Sequence, residues 1–177
     1  MNFAQIDENF FISGMPRVKA DFDFLELQGI KKVIFLFRPA GSSEYLLEKK
    51  CLAPFGIEVV QVPYEKSIKQ LIVDSLGLLE NKPCLVHCGV GAASSIVAMA
   101  YLIRKGYTPR KAKHEVWKKF GARVILHADD RQALQEIFAE RLAAQGKTRR
   151  AGLARIRGKA SGALETAKHK IRRRPGR

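Results

Sequence analysis

Short apolar runs and helix-spaced apolar positions take turns along most of this chain. Residues 9–12 read as a short aromatic strand, closed by Ser13-Gly14-Met15-Pro16 as a turn. Phe22, Phe24, Leu25 and Leu27 fit a short helix that stops at Gly29, and 32–37 follows as a buried strand. The spacing then predicts a helix over 43–51, a strand over 57–62 and a helix over 67–80 with Ser67 as N-cap. A third strand of the alternation covers 83–87, and a helical run covers 96–103, ended by Gly106. Thr108 as cap and Pro109 at the first helical position start a helix to 120, and a last helix covers 130–144.

Strands alternating with helices at these loop lengths predict an α/β domain with a mainly parallel sheet flanked by helices, followed by a helical C-terminal half. In such sheets ligands bind at the carboxyl ends of the strands. One of those ends is His87-Cys88-Gly89-Val90-Gly91-Ala92-Ala93-Ser94-Ser95, a thiol and small residues set between an apolar strand and an apolar helix. This layout aims backbone N–H groups and a positive helix end at one point, which suits an anion. The same donors favour the thiolate of Cys88, the form that acts as a nucleophile. A buried cysteine at a strand end is the plainer alternative, and a plain helix cap is the alternative for Ser95.

This stretch resembles the signature loop of the cysteine-dependent phosphatases of tyrosine and dual-specificity type, in which His-Cys is followed by five residues, an Arg and a Ser or Thr. His87, Cys88, Gly91 and Ser95 match, whereas Ser94 stands where the Arg belongs. The order from "NFFISGMPR" through "LQGIKKVIFLFRP" and "GIEVVQVPYEK" to "KPCLVHCGVG" extends the resemblance over about residues 9–140. It implies Cys88 as nucleophile, Ser95 as the hydroxyl that assists the thiolate, His87 as a buried structural histidine, and Gly89, Val90, Gly91, Ala92, Ala93 and Ser94 as the phosphate cradle. It also implies a loop acid before helix 67–80, where only Glu65 is available, with Lys66 beside it favouring the carboxylate.

Position 94 changes the functional expectation. A guanidinium grips two phosphoryl oxygens, and a Ser hydroxyl offers one neutral donor with little reach. An arginine acting on a transferring phosphoryl group is worth roughly 10³ to 10⁵ in rate. Arg17, just after the Ser-Gly-Met-Pro turn, and Arg38, at the end of its strand, are the candidates for a substitute cation. The expectation is a phosphatase-fold protein that binds phosphate groups at the Cys88 loop, on a phosphorylated protein or a small phosphoester, with impaired catalysis. The alternatives are an active phosphomonoester hydrolase using Arg17 or Arg38 with Glu65, and a phosphatase-like protein acting on or bound to RNA. No cofactor is called for.

Composition sharpens the domain picture. The chain has 177 residues and 46% hydrophobic content, enough for one domain with a proper core, read as 1–144, followed by a tail at 145–177. The tail holds 12 Lys and Arg against the single acid Glu165, whereas residues 1–144 hold 20 against 16, so the net charge of +15 divides as +11 and +4. Such a tail is expected to be disordered, or helical on binding RNA or another polyanion. Three cysteines at irregular spacing make neither a disulfide framework nor a zinc pattern, and Cys51 and Cys84 read as core. Residues 1–8 are mixed and polar, and no apolar stretch approaches 18 residues, so a cytoplasmic protein with no transmembrane segment is expected.

Overall fold

The computed structural model describes residues 1–37, 41–63, 67–79, 81–121, 125–146 and 148. Two compact units divide the chain, Met1–Phe138 and Ala139–Arg177. In the second unit the described residues 139–146 and 148 are helical, and the basic runs beyond them lie outside the described residues.

The first unit is built on a five-stranded sheet. Its strands are β1 (Phe3–Asp7), β2 (Phe10–Gly14), β3 (Lys32–Phe37), β4 (Glu58–Pro63) and β5 (Cys84–Cys88), in the spatial order β1-β2-β5-β3-β4. β2, β5, β3 and β4 run parallel, and only β1 pairs antiparallel, with β2. Every residue of the central strand β5 is buried, as a strand covered on both faces requires.

Helices cover both faces. On one, α1 (Lys19–Leu27) and α2 (Ser43–Leu52) bury Phe22, Leu25 and Leu52 against Phe11, Val33, Phe35 and Leu85. On the other, α3 (Ile68–Gly77), α4 (Ala92–Arg104), α5 (Pro109–Phe120) and a helix over 128–138, here α6, pack around Ile12, Ile34, Val86 and Met99. Local chemistry sets the helix starts: Ser67 accepts from Gln70 N at 3.3 Å, and Thr108 from Lys111 N at 3.3 Å. Among the described residues no helix is long and apolar enough to cross a membrane.

Ser13 and Gly14, expected in a turn, close β2 instead, the last helix begins at 128 rather than 130, and three further elements differ from the sequence expectation. β1 was not anticipated, because only Ala4 and Ile6 of its five residues turn inward, the weak two-residue period of an edge strand. α3 ends at Gly77, short of residue 80. α4 starts at Ala92, four residues early, because Gly91 takes the N-cap position and the small residues after it already wind into the first turn.

Candidate functional site

Cys88 is the last residue of the central strand, in register with Gly14 of β2, and is buried. The loop after it turns into α4 within three residues, and Gly91 makes that turn possible. Its φ of +91° is one that side-chain-bearing residues rarely adopt, and a Cβ there would lie 2.4 Å from Phe120 Cζ. The ring of Phe120, at the end of α5, therefore backs the loop. In this conformation Gly91 N–H donates to Cys88 Sγ at 3.1 Å. The opening N–H groups of α4 have no helical carbonyl to bond, so they are available to an anion at the same point.

Ser94 and Ser95, both fully buried, face into the scaffold. The Ser94 hydroxyl has Ser13 O at 3.1 Å and Gly91 O at 3.0 Å as acceptors, and Ser95 Oγ donates to Gly91 O at 2.7 Å. These hydroxyls fasten the start of α4 to β2 and to the loop backbone. Met15 N adds a second tie from the β2 side, donating to Gly89 O at 3.3 Å. Ala92 and Val90 are exposed, leaving the mouth of the loop open.

Arg17 is the sequence-nominated cation that the described residues bring to the loop. It lines a cavity of about 500 Å³ together with Gly14, Met15, Gly89 and Val90. Its backbone is held by Asp21, whose carboxylate accepts from Arg17 N at 2.8 Å and Val18 N at 3.2 Å. Partial burial pushes the Asp21 carboxyl up, but those two N–H donors together with the Met1 ammonium at 3.5 Å outweigh it and hold the group below its ordinary value. Arg38, Glu65 and Lys66 lie outside the described residues.

His87 points to the other face of the sheet. Its ring stands edge-on to Phe35 at 4.9 Å, and its Nε2 shares a hydrogen bond of 2.9 Å with Glu48 Oε1 on α2. Both residues are buried, Glu48 at 3% exposure and His87 at 0%. Sequence reasoning passed over Glu48. The signal was there: Glu48 shares an inward helical register with Tyr45 and Leu52, so a lone acid occupies a core-facing position.

No family model matches the chain, and none of the curated proteins matches its sequence. Among solved structures, Tk-PTP in its active form is similar at 23% identity, covering 78% of this chain and 97% of its own, with a TM-score of 0.63. PTPMT1 is similar at 19% identity over 82% of this chain and 99% of its own, with a TM-score of 0.64. The core catalytic domain of the PP-IP phosphatase SIW14 from S. cerevisiae, solved with citrate, is similar at 21% identity over 83% of this chain and 93% of its own, with a TM-score of 0.63. With a cysteine closing the central parallel strand, a tight loop behind it and a helix leaving that loop, this chain has the fold of the cysteine-dependent phosphatases of tyrosine and dual-specificity type.

Proposed function

We propose that this chain binds phosphate-bearing ligands in the Cys88 loop, with Arg17 as the cation beside it, and that it hydrolyses them feebly or not at all. The observation that carries the reading is the direction of Ser94. Its one hydroxyl proton is committed to Ser13 O and Gly91 O, so the position that holds the clamping Arg in the family pattern extends no side-chain donor to the phosphate. Backbone amides and the start of α4 remain, and they suffice for an anion. The kind of ligand is supported by the neighbours, since PTPMT1 has been solved with PI(5)P and SIW14 is a PP-IP phosphatase. A phosphorylated small molecule or protein is the corresponding ligand here.

The test pairs turnover with binding. Hydrolysis of an aryl phosphate by the full chain is expected not to exceed that of Cys88→Ser. Inorganic phosphate is expected to shift the amide resonances of Gly89 to Ala93, with affinity falling about tenfold in Arg17→Ala, the loss of one charge-assisted contact. Turnover that Cys88→Ser abolishes would make the chain an active phosphomonoesterase and return Arg38 and Glu65 to consideration. Phosphate that leaves those amides unmoved would remove the binding role. Ser94→Arg, first checked for folding by thermal melt because residue 94 is buried, is expected to gain turnover.

A further inference from the structure

On the sheet face away from the α4 side, a second cavity of about 800 Å³ opens between α1 and α2. Its size is that of a small-molecule site, and Met15, Phe22, Leu47, Cys51, Pro54 and Phe55 give it largely apolar walls. Glu48 is the exception. It lines this cavity, is 3% exposed, spends Oε1 on His87, and keeps Oε2 buried with no hydrogen-bond partner. His87 Nδ1 is likewise buried without a hydrogen-bond partner. A buried carboxylate oxygen with nothing donating to it is costly, and what it lacks is a donor, best a cationic one.

The sequence of α2 makes the arrangement harder to ascribe to core packing. Leu46 and Leu47 are exposed at 58% and 62%, while the acid of the same turn is turned inward. The rim cations do not supply the missing donor: Lys19 is paired with Asp23 at 2.7 Å, and neither it nor Arg17, which also lines the cavity, donates to Glu48 Oε2.

We propose that the groove between α1 and α2 is a second ligand site, for a small apolar molecule carrying an ammonium group, with the ammonium on Glu48 Oε2 and the apolar body along Phe22, Leu47 and Phe55. The site stands whatever occupies the Cys88 loop. The two are nevertheless neighbours, because Met15 and Arg17 line both cavities and Glu48 holds the residue that precedes Cys88. A cation drawn to Oε2 competes for the carboxylate that orients His87.

Cys51 supplies a built-in reporter. It is a half-buried free thiol in the wall of the groove, whereas Cys84 is fully buried and reports any opening of the fold. Alkylation of Cys51 by iodoacetamide, followed by peptide mass mapping on the full chain, would be measured with 3-phenylpropylamine, 3-phenylpropanol and 3-phenylpropanoate as probes. The amine is expected to protect Cys51 about tenfold or more better than the carboxylate, with the alcohol between them and Cys84 unlabelled throughout. Glu48→Gln is expected to erase that ranking. Should it fail to fold, Leu47→Arg, which adds a positive charge at the rim and removes one apolar contact common to both probes, is expected to weaken the amine about tenfold more than the alcohol. Equal protection by all three probes, or protection by none at millimolar concentration, overturns the proposal.

Discussion

The two faces of the sheet are built to different rules. Behind α3, α4, α5 and α6 the interior is mainly apolar, with Ile34, Val86, Val97, Met99 and Ile103 fully buried, and the buried hydroxyls of Ser75, Ser94 and Ser95 are hydrogen-bonded to backbone carbonyls. Under α1 and α2 the interior is smaller, holds a buried Glu48–His87 pair, and leaves a cavity beside it. The Cys88 loop sits where the faces meet, with its thiol on the closed side and the preceding histidine on the hollow side. The closed face holds the loop by close packing and by satisfied hydroxyls at Ser94 and Ser95, whereas the hollow face keeps a buried pair with unbonded polar atoms beside a cavity.

Truncation separates the two faces most sharply. Met99→Ala, in the closed core, is expected to cost about 3 to 4 kcal/mol of stability, the transfer loss plus an unrelaxed cavity. Leu47→Ala on the hollow side is expected to change stability by less than about 0.5 kcal/mol, because that side chain is already in water. Urea denaturation of the pair checks both. A large cost for Leu47→Ala would mean that the groove is closed in solution and that the contrast between the faces is false.

Next in size is the loop itself. Gly91→Ala must place a Cβ against the Phe120 ring while holding a φ of +91°, so about 2 to 3 kcal/mol is expected, with loss of phosphate binding. Phe120→Leu in the same chain removes the clash but not the backbone strain. The double variant is therefore expected to recover part of the loss, and a double-mutant cycle reads the coupling directly. Additive costs would show that Phe120 does not support the loop.

The buried pair gives a smaller and more pointed effect. Glu48→Leu alone orphans His87 and is expected to cost about 2 kcal/mol. Glu48→Leu with His87→Leu is expected to come within about 1 kcal/mol of the parent, since buried polar pairs rarely repay their desolvation. That outcome would sharpen the comparison, because a pair that stability does not require is available for the chemistry of the groove. A double variant as costly as the single one would make the pair structural.

These contrasts also explain what could be read from the chain alone. The apolar runs of β3 and β5 and the caps at Ser67 and Thr108 are local signals, and each of those elements formed within a few residues of expectation. The Cys88 loop was legible because a strand end, a glycine and a helix start must be contiguous to make it. Glu48 was not legible in the same way. Its meaning depends on His87, 39 residues away, and on a parallel register that places Ser13, Phe35 and His87 side by side. Ser94 was identified as the missing clamp, but where its hydroxyl goes depends on Ser13, 81 residues earlier. Contacts across that much sequence are set by topology, which a local pattern does not carry.

The mildest test concerns the segment between the two regions, where Asp21 holds the backbone of Arg17 and Val18 beside the loop. The Asp21 carboxyl lies below its ordinary value of 3.8 in the folded chain, because the two N–H donors and the Met1 ammonium together outweigh the effect of burial. A group whose folded value is depressed contributes stability that is fully present above its unfolded value and is lost as the pH falls through the folded one. The Asp21 contribution is therefore expected to be intact above about pH 5 and to fade below about pH 4. Partial exposure screens it to about half a kcal/mol. Asp7, also held below its ordinary value, first by the Tyr101 hydroxyl and then by the Glu8 N–H, fades over the same range, so the parent curve alone cannot assign the slope. Asp21→Asn resolves this, since Asp7 is unchanged in both chains. The stability difference between parent and variant, followed by thermal melting from pH 6 to pH 3, is expected to shrink toward zero in acid. A difference that stays constant would mean that the Asp21 charge does not hold the Arg17 segment, and the cation beside the loop would then be placed by packing on the groove side alone.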